Sequence, residues 1–501
     1  MKTAAYDTIV IGAGVGGLSS TLKLSSCGKR VLLLERQPVP GGCATTFTRK
    51  GFTFEASMHC VNSLGEGLEL RNFLEDLGVD KKVNFIELDN FCRVIYPQHD
   101  FIVDFSRDNF LNYLKAQFSA ESGNLEKLFS RIDKFYKQFD NFCISELPSV
   151  LQLLISPFVY PDIIKISSLS VSEFLDKYIK DEKLKSIISD LWKFVGVPPS
   201  KLSALYLLII LRGYCFDKTC YVQGGYMQLF LAIVDKIRAN GSEVRYNTFV
   251  TKIIIEKNKV KGVVTDKGEE FTASSVISNA NAPLALGELI SNTSIKEHYK
   301  EQFSHLEKSI SVFQVYLGLN VLSKTLGMNS FMFSINNRYD HEAAFNSSVS
   351  GDYDNCVMEV VDHSQLDPSL APQGKGTLLI MTLDSYANWK DLTKEAYQQK
   401  KKELAKKLIQ RCEKYLPGLS KHIEVMEVAT PKTMYRYTLV PEGAIYGFAH
   451  TVMQSGIFRL EQKTKIKGLF LAGSWTRPGA GVHACFISGI DAAELTFKFL
   501  G

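Results

Sequence analysis

The chain has 501 residues, 45% of them hydrophobic and 22% charged, and its 58 basic and 53 acidic side chains leave a net charge of +5. That length allows a large core divided among two or more domains. So mild a charge, with no Lys/Arg-rich block, excludes a nucleic-acid track. Its densest basic run, KKKELAKK (Lys400 to Lys407), falls within a helical pattern and reads as a solvated helix face. Ten cysteines are scattered singly without zinc or thioredoxin spacing, so free thiols in a reducing, cytoplasmic setting are expected, with no metal centre. The longest apolar run, Leu202 to Tyr214, falls short of the roughly 18–20 residues that span a bilayer.

In chain order, DTIVI (residues 7–11) is a short β-branched run bounded by glycine and reads as a buried parallel strand. Gly12, Gly14 and Gly17 follow as G-x-G-x-x-G, and the next eleven residues, LSSTLKLSSCG, carry helical periodicity to a stop at Gly28. RVLLLE is the second strand and ends on Glu35. Strand, glycine turn, helix, strand and terminal acid together form a dinucleotide fingerprint in its required context. The first glycine permits a tight turn, the second lets backbone approach a pyrophosphate, and the third lets helix pack on sheet. The helix's first amides would face the phosphates, and Glu35 would accept hydrogen bonds from a ribose. A secretory signal is not expected in this stretch, because the glycines stand where the phosphate turn needs them. Arg36 and a second glycine pair, Gly41-Gly42, come where a nicotinamide domain would start its next helix. The extra backbone access favours a longer cofactor, FAD.

Between Phe91 and Leu211 the patterns are helical and rich in Phe, Tyr, Leu and Ile, with joints at Pro157, Pro161, Pro198 and Pro199. Within this stretch LPSVLQLLISPFVYPDIIKI (Leu147 to Ile166) has two readings: a packed core helix, or an apolar lip that dips into a membrane surface. VQGGYMQLF, from Val222, opens a helix ending at Gly241; a hairpin through EKNKVKGV and a return strand ending in VISNAN come next. Residues 290–430 alternate strand patterns such as SVFQVYLGLNV, CVMEVV and GTLLIMTLD with one long helix, indicating an antiparallel sheet. The last stretch, IKGLFLAGSWTRPGAGVHACFISGIDAAELTFKFL, reads as strand, glycine turn and helix.

PGGCATTFTRKGFTFEASMHCV, the block from Val222 to Pro283 and GSWTRPGAGVH resemble the flavin amine oxidase superfamily, closest to its phytoene desaturase, carotenoid isomerase and retinol saturase group. The likeness covers roughly the first 90 residues, 222–283 and 435–501. It implies an α/β fold: a Rossmann-like FAD-binding domain with an inserted substrate domain of antiparallel sheet plus helical cap. The implied segments are 1–90, 216–289 and 435–501 for FAD, 91–215 for the cap and 290–434 for the rest of the substrate domain. Carried over residue by residue, Val250 would meet the adenine through its backbone, and Gly481-Val482 would abut the flavin's pyrimidine end. Many relatives carry an acid after the glycine matching Gly473; here Ser474-Trp475 stands there, which loosens the carry-over at the ribityl phosphate contact.

For chemistry, His59 closes the segment that in relatives returns beneath the flavin, and His483 follows Gly481-Val482, so either is a candidate for proton exchange. Glu55 is a third candidate, Met58 and Tyr446 are candidates for the substrate passage, and Arg477 for a phosphate or flavin carbonyl. The resemblance implies an FAD-dependent oxidoreductase that desaturates, saturates or isomerises a long hydrophobic polyene, with a quinone, oxygen or redox partner. Two other functions are weighed: an amine-oxidase-like enzyme for a soluble substrate, and a non-enzymatic prenyl-binding chaperone of the same fold. The intact phosphate glycines stand against the chaperone.

Overall fold

The computed structural model describes residues 6–143, 155–291 and 293–501. Residues 147–154 of the apolar stretch therefore lie outside the described residues.

Two seven-stranded sheets organise the molecule. In the first, Tyr6–Ile11 is central, paired parallel with Val31–Leu34 on one side and Glu270–Ser278 on the other. Glu243–Arg245 extends this sheet beyond Val31–Leu34, and Leu469–Leu471 adds in parallel to Glu270–Ser278. The expected hairpin is Val250–Glu256 and Lys259–Thr265, turned by Lys257 and Asn258, both at positive φ, as a two-residue hairpin loop requires. Strands buried on both faces account for the unbroken apolar runs that mark them in the sequence.

Helices Val15–Ser26 and Val482–Leu500 pack on this sheet and on each other at backbone distance. A Cβ added at Gly489 would lie 2.0 Å from Ser19 Oγ and 2.2 Å from the Gly16 carbonyl oxygen, and Ser19 Oγ donates to the Phe486 carbonyl at 3.0 Å. At Gly17 an added Cβ would stand 1.9 Å from the Gly12 oxygen, so the third fingerprint glycine does set helix against strand.

The second sheet runs Ile423–Ala429, Ser311–Leu319, Gly376–Asp384, Met358–Val361, Met332–Ile335, Cys92–Ile95 and Asp100–Val103. One face carries Phe313, Val315, Ile380, Val360 and Phe333 against Leu404 and Leu408 of helix Lys394–Cys412. That helix turns its lysine-rich side outward, as its pattern indicates. The opposite face looks toward the first sheet and the cap. The cap is built from helices Arg107–Gln117, Ser122–Cys143, Pro161–Ser167, Val171–Asp176, Glu182–Ile188 and Ala204–Leu211. Residues 91–215 are expected to be helical; instead they open with two strands of the second sheet, because CRVI and DFIV are short alternating runs that a helical reading overlooks.

A buried ion pair joins cap to sheet. Lys193 Nζ lies 2.9 Å from Asp190 Oδ1, and Asp190 also accepts from Tyr96 Oη, Ser334 Oγ and Asn336 Nδ2. Every cysteine is a free thiol, and no helix among the described residues is long and apolar enough to cross a membrane.

The helix contact gives a direct test. Gly489→Val should cost about 1–3 kcal/mol or more through overpacking. Gly123→Ala, where an added Cβ meets nothing within 4 Å, should leave the protein as stable or slightly more so. Thermal midpoints of the two variants check both expectations.

Candidate active site

Three helices that bear on the first sheet begin on glycine, and they end differently at the atomic level. Tyr226–Ala239 starts at Gly225, where the Tyr226 amide donates to Glu55 Oε1 at 3.0 Å and the Met227 amide to Thr46 Oγ1 at 3.2 Å. Val15–Ser26 and Val482–Leu500 start at Gly14 and Gly481 with no side-chain cap and no acid in their first turns. Helix starts leave several amides without intrahelical partners and carry a partial positive charge. The protein satisfies one of these three with its own carboxylate and offers the other two to something anionic or polar.

Around the first of these starts the backbone is packed too tightly for side chains. Asn279 sits between it and the turn that follows strand Leu469–Leu471: an added Cβ would lie 2.6 Å from its Nδ2 at Gly14, and 2.7 Å and 2.5 Å from its Oδ1 at Gly16 and Gly473. The Asn279 amide also donates to the Ile11 carbonyl at 2.8 Å, and the Gly473 amide to Ser488 Oγ at 3.0 Å. Gly41-Gly42 closes on the same turn, since the Gly41 amide donates to the Ala13 carbonyl at 2.8 Å and an added Cβ at Gly42 would be 3.2 Å from Gly14 Cα. The second glycine pair and the first thus make one cradle. Gly12 takes φ +92° at its entrance. Beside it, Thr45 Oγ1 and Ser278 Oγ are buried without a partner. A narrow, donor-lined cradle with two bare helix starts fits a diphosphate and a polar ring edge, the parts FAD would place there.

Glu35 follows the second strand, 8% exposed, its Oε2 accepting from the Ala13 amide and its Oε1 from the Gln37 amide, both at 2.7 Å. Burial raises its pKa, against the pull of these amides. The remaining lone pairs suit ribose hydroxyls. The Thr248 amide donates to the Glu35 carbonyl, which brings the start of strand Val250–Glu256 alongside. Arg36 turns to the end of helix Pro431–Thr438, donating to the Arg436 and Tyr437 carbonyls at 3.1 Å and 2.6 Å. At the other end, the Ser474 carbonyl accepts from Arg459 Nη2, and Val482 is buried while Gly481 is exposed.

The histidines part company. His59 is 8% exposed, its Nε2 is 3.4 Å from Glu359 Oε2, and its ring meets Phe194 edge-on at 5.6 Å. The neighbouring Met58 is half-buried against the main core. His363 Nε2 is hydrogen-bonded to the His59 carbonyl at 3.0 Å, so it is the residue that holds this segment down. His483 instead points outward to Glu69 at 3.2 Å, and that contact lowers the Glu69 pKa. Glu55 is spent on structure: besides the Tyr226 amide it accepts from Tyr221 Oη at 2.8 Å and Thr46 Oγ1 at 2.9 Å. Burial pushes its carboxyl up to about 7 even so. Arg477 pairs with Glu461 at 3.2 Å and donates to the Arg459 carbonyl rather than turning to a phosphate. Tyr446 Oη lies 3.4 Å from the Lys193 carbonyl, its hydroxyl pKa raised by burial and by the Glu359 charge.

Asn279, Glu359, His363 and Arg459 escaped sequence reasoning. Arg459 is 2% exposed and braces the turn by donating to the carbonyls of Ser474, Thr476, Phe448 and Gln454. Of the four, Glu359 left the clearest signal: a single acid inside the apolar strand CVMEVV.

A profile of the flavin containing amine oxidoreductase family matches residues 15–496. Prolycopene isomerase 1 from an Oncidium hybrid cultivar is 28% identical, across 99% of this chain and 84% of its own. The 4,4'-diapophytoene desaturase (4,4'-diapolycopene-forming) of Methylomonas sp is 25% identical, across 97% of this chain and 94% of its own. An oxidoreductase from Methanosarcina mazei shares the fold, with a TM-score of 0.67 at 19% identity over 98% of this chain and 100% of that one. The chain belongs to the flavin containing amine oxidoreductase family, and FAD is the cofactor its glycine cradle fits.

Proposed function

We propose that this protein is an FAD-dependent oxidoreductase acting on a long hydrophobic polyene of the carotenoid or retinoid type. The observation that carries the reading is an aromatic cluster, in which Phe91, Phe194, Tyr214 and His59 form a run of neighbouring rings between cap and second sheet. Such walls suit a flat conjugated chain and leave few partners for a polar substrate. Two relatives, matched over 84% and 94% of their lengths and named for a polyene isomerase and a polyene desaturase, support it.

In this reading residues 1–90, 216–289 and 435–501 hold the cofactor, while 91–215 and 290–434 hold the substrate. Gly12, Gly14, Gly17, Gly41 and Gly42 receive the diphosphate, with Glu35, Arg36 and Val250 on the adenosine side. Gly473, Ser474, Gly481 and Val482 border the flavin, and Met58 and Tyr446 line the substrate's passage. FAD, when bound, takes up or releases a hydride. The chain's own residues orient the polyene, exclude water and handle protons. Net oxidation or reduction also needs a quinone, oxygen or a redox protein to exchange electrons.

The polyene's route in from a membrane surface is proposed at the cap. Phe158 is 86% exposed and Val159 and Ile164 are also open. Helix Pro161–Ser167, which carries Ile164, packs on Ala204–Leu211. At the latter's other side an added Cβ on Gly456 would be 3.2 Å from Leu205, and Ile457 and Phe458 beside it are exposed. Apolar side chains at these places suit contact with acyl chains.

The purified protein should be yellow. Anaerobic mixing with prolycopene, 4,4'-diapophytoene and retinol should alter either the flavin spectrum or the polyene's mass or geometry; a response to amines alone would favour the amine-oxidase reading. Phe158→Asp should reduce sedimentation with liposomes while leaving bound FAD unchanged.

A further inference from the structure

On the face of the second sheet opposite helix Lys394–Cys412, one row of cross-strand neighbours carries three polar side chains. Register places Gln314 opposite Met381, Met381 opposite Glu359, and Glu359 opposite Ser334. Gln314 is occupied by Tyr316 Oη at 3.0 Å, and Ser334 by Lys193 and Asp190. Glu359 differs. It is 3% exposed, its Oε2 faces His59 Nε2 at 3.4 Å, and its Oε1 is buried with no partner. His59 Nδ1 is likewise buried with no partner. Buried polar atoms are almost always hydrogen-bonded, so the orphaned His59 Nδ1 points to a group that completes it. A carboxylate on one imidazole nitrogen fixes the proton there and leaves the other nitrogen as a base.

Building on the polyene reading, we propose that His59 is the proton acceptor for the substrate and Glu359 the residue that positions it, so that the reaction removes or adds hydrogen across a carbon–carbon bond. In the oxidising direction one allylic C–H bond breaks and its electron pair leaves as hydride to the oxidised flavin. The adjacent C–H bond gives its proton to His59 Nδ1, and that bond's electrons become the new C=C. The imidazolium so formed is held by Glu359 through Nε2–H. A quinone or oxygen would then take the two electrons from the flavin; saturation would run the hydrogen transfers backwards, with a redox protein reducing the flavin and protonated His59 giving its proton to the substrate. Redox-neutral isomerisation leaves the hydrogen count of the polyene unchanged, so the mass of the product separates it from this reaction. Glu359 is a positioning residue here, since it touches His59 and not the substrate.

The test compares FAD-loaded wild type with His59→Gln, Glu359→Gln and Glu359→Asp, using 4,4'-diapophytoene with a quinone acceptor, and retinol with chemically reduced flavin. Wild type should change the mass of one substrate by two hydrogens per turnover. His59→Gln should lower kcat about 100-fold or more, and Glu359→Gln about tenfold or more, with Glu359→Asp between Glu359→Gln and wild type. KM should stay within about twofold and the flavin absorbance should be retained in all three. A wild type inert toward every polyene overturns the substrate reading together with this one. A wild type that changes geometry without mass, or variants that turn over at the wild-type rate, overturn this inference alone. Variants that come out colourless mark the pair as structural and also overturn it.

Discussion

The close packing of the first helix on the last is the constraint from which the rest follows. Gly489 lets Val482–Leu500 approach Gly16 and Ser19 at backbone distance. Next to that contact Asn279 fills the space between the uncapped start at Gly14 and the glycine turn at Gly473. Had the helices stood a side chain further apart, Gly473 and Gly14 would not share a carboxamide. The chemistry of the site is therefore set by an absence of side chains at a handful of positions, most of them far apart in the chain.

The half of the molecule that binds the nucleotide was largely legible, and for a physical reason. Its signals are local: a β-branched strand, glycines where φ is positive or a Cβ would collide, and an acid at a strand tip all fall within the first fifty residues. Gly17 does what the fingerprint says it should, and Glu35 stands at the strand end expected. The reason for Gly14 is richer than backbone access alone, because Asn279 follows the neighbouring strand Glu270–Ser278, far along the chain, and no local pattern announces it.

The other half was legible in outline only. An antiparallel sheet with one long helix was readable from alternation and periodicity, yet the short strands Cys92–Ile95 and Asp100–Val103 were lost inside a helical stretch. Side-chain roles fared less well still. Position near a flavin-facing motif made His59 and His483 look equivalent, but helical geometry turns the second outward to Glu69 while Phe194 and Glu359 enclose the first. Glu55 looked chemically available because its partners, the Tyr221 hydroxyl and the Tyr226 amide, are distant in sequence. Burial and partnership are non-local properties, and they decide which acid is free to act.

The order of strands in the first sheet also bears on how the protein comes into being. Tyr6–Ile11 pairs with Glu270–Ser278, which in turn pairs with Leu469–Leu471. On a ribosome, Tyr6–Ile11 meets Val31–Leu34 at once but waits for Glu270–Ser278, and the sheet is complete only when Leu469–Leu471 emerges, since contacts of such long range are slow to close. The inserted sheet, whose Ser311–Leu319 and Gly376–Asp384 strands lie nearer one another in the chain, is free to order earlier. The nucleotide half, which draws strands from both ends of the chain, is thus the later of the two to close.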